Sequence, residues 1–226
     1  MDNGPGTLTS GGNTPDLREA RVHAVLVHGM GRTPVSMLIL AARLRAACVR
    51  PILFSYSAAF ERWQPCVARL HQFLATKLNG ERYIVIGHSL GCLLTCAALP
   101  GLPRQPEACF FLAPPMQASH LARTFSRWRL FQLMTGEMGQ FVGQKNWIKQ
   151  LPIPAVPTTI YAGSAGPRGR WSPFRDEVND GILTVAETQL PDIPTIVVPS
   201  LHTTIMNSRR VCDDIIATIH QASSDG

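Results

Sequence analysis

The chain has 226 residues, 45% of them apolar and 16% charged, which at roughly 150 residues per domain is one globular domain with core enough to fold without disulfides or a structural metal. No apolar run approaches the ~18 residues needed to cross a bilayer, which excludes an integral membrane protein. The net charge of +6 comes without a basic stripe interleaved with aromatics, which argues against a nucleic-acid-binding module.

From Met1 to Thr14 the chain is rich in Gly, Asn and Thr, with no basic segment leading into an apolar one. A flexible tail over residues 1–18 is expected, followed by a domain over 19–226. The missing signal pattern points to the cytoplasm, with secretion left open should a leader have been removed.

Val22–Val27 reads as a buried strand, and Pro34–Ala47 as a helix opened by its proline. Ile52–Tyr56 is the next strand. Trp63, Val67, Leu70, Leu74 and Leu78 then recur at helical spacing and form one apolar stripe. Tyr83–Ile86 is a strand, Leu90–Leu99 a helix of small and apolar residues. Cys109–Leu112, Thr159–Tyr161 and Thr195–Val198 complete six strands, and Val211, Ile215 and Ile219 mark the inner face of a last helix. Strands apolar throughout are buried on both faces. The expectation is therefore an α/β fold of three layers around a mostly parallel sheet, with ligands at the carboxyl ends of the strands.

Six cysteines (Cys48, Cys66, Cys92, Cys96, Cys109 and Cys212) lie in apolar stretches and read as free buried thiols rather than a disulfide framework. Cys92 and Cys96 would share a helix face, but no second Cys or His pair at ligand spacing completes a metal site, so packing is the better reading.

One segment carries a nucleophile pattern. The strand Tyr83–Ile86 runs straight into Gly87-His88-Ser89-Leu90-Gly91, and a helix follows at once. Alone, such a pentapeptide is an ordinary Gly-Ser turn. Between a strand and a helix it is the G-x-S-x-G arrangement, whose sharp turn lifts a serine above the sheet and whose glycines let flanking backbones pass closely. The new helix also aims its first amides at the site, where they favour an oxyanion.

At this point the chain resembles the α/β-hydrolase family, and within it the compact bacterial lipases and esterases, over roughly Arg21 to His220. The resemblance implies an α/β-hydrolase fold and a catalytic triad. The loop His28-Gly29-Met30-Gly31 after the first strand matches the family's H-G-x-G loop. Carried over, the oxyanion hole is formed by the amides of Met30 and Leu90. His28 itself reads as a packed or hydrogen-bonded loop residue.

His202 directly follows the last strand and precedes the terminal helix, where the family places its base. His88 adjoins Ser89, but neighbouring side chains on a sharp turn diverge, so its ring is poorly placed to reach that hydroxyl. His23, His71, His120 and His220 have no positional argument. Asn179-Asp180-Gly181-Ile182 resembles the N-D-G run that carries the triad aspartate in several bacterial lipases. Asp176, Glu177 and Asp192 lie in the same stretch as alternatives, and Asn-Asp-Gly alone is a turn signal. Ser89, Asp180 and His202 follow the chain order of this fold.

Between the fourth and fifth strands, residues 116–150 form an insert where relatives carry a short helical cap or lid. Arg123, Arg127, Arg129, Lys145 and Lys149 stand against Glu137, a local charge of +4. Leu121, Phe125, Trp128 and Phe131, then Met134, Met138, Phe141, Val142 and Trp147, supply an apolar face, with Gly136, Gly139 and Gly143 as breaks. Two readings stay open: a cap packed on the core, or a mobile lid over an acyl pocket that touches lipid interfaces transiently.

The function expected is that of a serine carboxylic-ester hydrolase, an esterase or lipase taking small-molecule esters with an apolar acyl chain through an acyl-enzyme. No metal, no cofactor and no nucleic acid are expected. A thioesterase or acyltransferase on the same triad, or a non-catalytic scaffold on this fold, are the alternatives.

Overall fold

The structure is a computed structural model and describes residues 22–117, 138 and 145–224. The expected tail and most of the 116–150 insert lie outside the described residues.

The strands are β1 (His23–Val27), β2 (Arg50–Phe54), β3 (Tyr83–His88), β4 (Cys109–Leu112), β5 (Thr158–Gly163) and β6 (Thr195–Val198). They form one sheet in the order β2-β1-β3-β4-β5-β6, and every pairing is parallel. Parallel neighbours need crossovers, and the helices supply them. These are α1 (Leu38–Ala46), α2 (Trp63–Lys77), α3 (Leu90–Ala98) and α4 (Lys145–Ile148), then α5 (Val185–Thr188) and α6 (Arg209–Ser224).

Alternation along β1 sorts the two faces. Val25 and Val27 join a core with Cys66, Leu70 and Leu74 of α2 and Leu93 and Leu94 of α3. Ala24 and Leu26 face the other way, into a core with Leu40 and Leu44 of α1 and Val211, Ile215 and Ile219 of α6. The sheet is thus covered on both sides, as its unbroken apolar strands require. α3 is buried almost all round because it lies between the sheet and α2.

Strand order decides where a site can form. From β1 the chain goes outward to β2, then back past β1 to β3. The loops leaving the carboxyl ends of β1 and β3 therefore diverge in opposite directions and leave a crevice between them. The His28–Gly31 loop and the Gly87–Gly91 turn sit at that point.

Three details differ from the sequence reading. β2 begins two residues earlier than Ile52, because pairing of Val25 with Ile52 and of His23 with Arg50 sets its register. Pro51 is tolerated because β2 is an edge strand, and Tyr56 leaves the strand altogether. The helix expected from Pro34 opens as a 3₁₀ turn, Pro34–Met37, in which the Leu38 amide reaches Val35, and becomes α-helical only at Leu38. Cys48 is not buried. It is exposed in a left-handed turn after α1, with φ of 63°, while the other five thiols are buried and free.

Candidate active site

The turn after β3 is shaped by close backbone contacts on both sides. Ser89 has φ 51° and ψ −120°, a conformation that costs a non-glycine residue energy and persists only where the surroundings enforce it. Its amide donates to Leu112 O at 2.9 Å, which ties the turn to β4. Gly91 enforces it from the other side: a Cβ there would collide with Val27 O and come within 2.6 Å of His28 O. The loop after β1 presses equally close, since a Cβ on Gly29 would lie 2.7 Å from His88 Nδ1 and 3.1 Å from Ser89 Cβ.

Across the carboxyl end of the sheet, Asp180 and His202 approach from loops that follow β5 and β6. Asp180 is buried, 2% exposed. Its Oδ1 accepts the amides of Ile182 at 2.9 Å and Leu183 at 2.7 Å, so Oδ2 is the atom left for a side-chain partner. That partner is His202, whose Nδ1 lies 2.7 Å away. The same two residues also join through their backbones, His202 N–H to Asp180 O at 2.9 Å.

A carboxylate only accepts, so the His202 proton resides on Nδ1 and Nε2 carries a lone pair. Nε2 lies 3.0 Å from Ser89 Oγ, and the hydroxyl donates to it. Ser89 is half-buried, with both partners buried behind it. Hydrogen bonds therefore run without a break from Ser89 through His202 to Asp180.

The other expected residues fall as follows. Met30 sits partly buried in the loop after β1, its side chain packed on the α2–α3 core. Leu90 is the first residue of α3, where helix geometry leaves the amide without an intrahelical acceptor. Asp176, Glu177 and Asp192 are exposed, unlike Asp180. His28 is buried, stacked on Tyr56 with ring centroids 4.3 Å apart, its Nδ1 at 2.9 Å from Gly29 O. Burial lowers its imidazole below the usual range. His71 Nδ1 reaches Ala98 O at 2.8 Å and serves helix packing.

Three supporting residues were not found from the sequence. Tyr56 donates to His28 O at 2.8 Å and so holds the loop after β1. Asn179 is fully buried; its Nδ2 donates to Pro167 O and Glu177 O, and its Oδ1 accepts the Gly181 amide. His88 donates from Nε2 to His202 O at 2.9 Å. Only the Gly181 bond is local enough to read from the Asn-Asp-Gly signal.

Cys92 and Cys96 share the buried face of α3 as expected. Burial pushes the Cys96 thiol up to about 12 and raises Cys92 well above its usual range. Among the described residues no group of His, Cys, Asp and Glu side chains is arranged to hold a metal ion. None of the described helices is long and apolar enough to cross a membrane.

An all-parallel sheet covered on both faces, a strained strand-turn-helix serine and a buried His–Asp pair behind it define a class of fold and site. The chain belongs to the α/β hydrolase family, whose sequence profile matches residues 24–223.

Solved structures agree on the fold. The mature lipase BlEst2 of Bacillus licheniformis superposes with a TM-score of 0.67 at 18% identity, covering 89% of this chain and 93% of that one. The metagenomic carboxyl esterase MGS0156 gives 0.71 at 18% identity over 90% and 77%. A soluble variant of monoglyceride lipase from Saccharomyces cerevisiae gives 0.59 at 11% identity over 91% and 87%. No curated protein matches the chain in sequence.

Proposed function

We propose that the protein is a serine carboxylic-ester hydrolase in which Ser89 is the nucleophile, His202 the general base and Asp180 the orienting acid. The observation that carries this reading is the continuous bonding from Ser89 Oγ to His202 Nε2 and from His202 Nδ1 to Asp180 Oδ2.

His202 accepts the hydroxyl proton as Ser89 Oγ attacks the ester carbonyl carbon. The carbonyl π pair moves to oxygen, and the amides of Met30 and Leu90 hold that oxyanion. Each such donor is worth about 2.7–4 kcal/mol of transition-state stabilisation. Collapse expels the alcohol, protonated by the imidazolium, and leaves an acyl ester on Ser89. His202 then takes a proton from water, which attacks the acyl carbon, and the second collapse returns the serine and releases the acid. Asp180 stays ionised throughout, holding the tautomer and stabilising the imidazolium.

An apolar acyl group is the substrate class proposed. The 116–150 insert is rich in methionine and aromatics, and Met116, Met138 and Trp147 pack into the α2–α3 core. Met138 and Ile148 are buried, and Trp147 packs edge-on to Trp63 with centroids 4.7 Å apart.

Hydrolysis of p-nitrophenyl esters from two to sixteen carbons, with wild type beside Ser89→Ala, tests both parts. The expected result is turnover that falls by about 10⁶-fold in the variant and a wild-type optimum beyond acetate. Equal rates from the two proteins would contradict the nucleophile assignment. Rates falling steadily from acetate to octanoate would contradict the apolar acyl preference.

A further inference from the structure

His88 is a buried titratable group that the proton relay does not use. It is 2% exposed, and its ring centroid lies 5.2 Å from that of His202. Its one side-chain hydrogen bond among the described residues runs from Nε2 to the backbone oxygen of His202, 114 residues away. Nδ1 is buried without a protein partner and faces the Gly29 backbone.

A carbonyl oxygen only accepts, so Nε2 carries the proton. Burial, reinforced by the neighbouring His202, holds the imidazole well below its usual range, so the ring is neutral and has that single N–H to give. If the position served packing alone, an apolar side chain would fill it without burying an unpaired nitrogen. The feature that distinguishes histidine here is the bond to His202.

We propose that His88 is a positioning residue for the base, a clamp that fixes the His202 main chain relative to the nucleophile turn. This inference rests on the serine hydrolase reading of the site. The His202 amide is held by Asp180 O and its carbonyl by His88, so both peptide groups flanking the base are fixed. His88 is bonded covalently to Ser89, so the clamp sets the separation of nucleophile and base from within the turn itself. Gly29 is the third party: a Cβ at that position would lie 2.7 Å from His88 Nδ1, so the loop packs this close to the ring because the residue has no side chain. One imidazole thus joins the loop after β1, the turn after β3 and the loop after β6.

Two variants separate clamping from folding. The amide nitrogen of glutamine reaches about as far as imidazole Nε2, whereas that of asparagine ends near Nδ1. With p-nitrophenyl butyrate, His88→Asn is expected to lose kcat by about 100-fold, the effect of a misplaced reacting group, while KM and His88→Gln kcat stay within about threefold of wild type. Thermal unfolding of the two variants is compared alongside. Equal kcat in both variants, or losses that follow unfolding temperature alone, would overturn the clamp.

The low-field proton resonance of the His202–Asp180 bond gives a readout that needs no substrate. It is expected in wild type and His88→Gln, and broadened or lost in His88→Asn. Turnover equal in wild type and Ser89→Ala would sink the esterase reading alone, with this resonance still deciding the clamp. Loss of the resonance in neither variant would sink the clamp alone.

Discussion

The two halves of the candidate active site are built by different means. On the Ser89 side, the residue is held in a strained conformation by groups packed too close for a Cβ: Gly91 lies against Val27 O and His28 O, and Gly29 against the His88 ring. On the acid side the strain is absent at Asp180, and hydrogen bonds do the holding. Asn179 makes three, Asp180 Oδ1 accepts two, and Thr184 and Glu187 close a capping box that starts α5 just beyond the turn.

The difference has a physical origin. The nucleophile turn lies between adjacent parallel strands, where excluded volume already defines the shape. The Asp180 turn follows a long loop after β5 and also packs close on that strand, since a Cβ on Gly163 would lie 2.7 Å from Asp180 Cβ, but its own backbone groups are satisfied by polar side chains. Changes at the glycines of the first side should act through volume and those at Asp180 through hydrogen-bond chemistry.

Asp180→Asn should give the larger effect. An amide can still accept the Ile182 and Leu183 amides through its oxygen, so the turn keeps its shape, but its NH₂ would meet His202 Nδ1 and favour the wrong tautomer. A fall in kcat of about 10⁴-fold is expected with an unfolding temperature near wild type. A large loss of stability instead would show that the charge, and not the hydrogen-bond count, holds the acid turn.

Gly91→Ala should do the reverse and be smaller. One methyl forced against two carbonyl oxygens is expected to cost about 3 kcal/mol of stability, the upper part of the usual overpacking range. At this chain length that lowers the unfolding temperature by roughly 10 °C. A variant as stable as wild type would mean that the turn has slack, and the contrast between the two sides would fail.

Legibility in the sequence follows the same division. The nucleophile turn could be read because its determinants are local: a strand, five residues and a helix. The six strands were legible because parallel burial writes itself as unbroken apolar runs such as Tyr83–Ile86. Asp180 and His202 were reached through order along the chain and resemblance, and they meet Ser89 only through the sheet. What the residues did not announce is non-local or set by pairing. The His88–His202 bond joins loops 114 residues apart, and no local pattern distinguishes His88 from a packing residue. The start of β2 is decided by its register on β1, not by where its apolar run begins. Cys48 looked like a core thiol because Ala46, Ala47 and Val49 flank it, yet the left-handed turn points it to solvent.

The central claim is that Ser89 becomes covalently acylated through His202. The most direct measurement is intact-mass and peptide mapping after reaction with a fluorophosphonate, whose phosphorus the serine attacks as it would an ester carbonyl, expelling fluoride and leaving a phosphonyl adduct that does not turn over. The account predicts one adduct per chain, on the peptide containing Ser89, and none in Ser89→Ala. An unlabelled wild-type protein, or an adduct on any other residue, would contradict it.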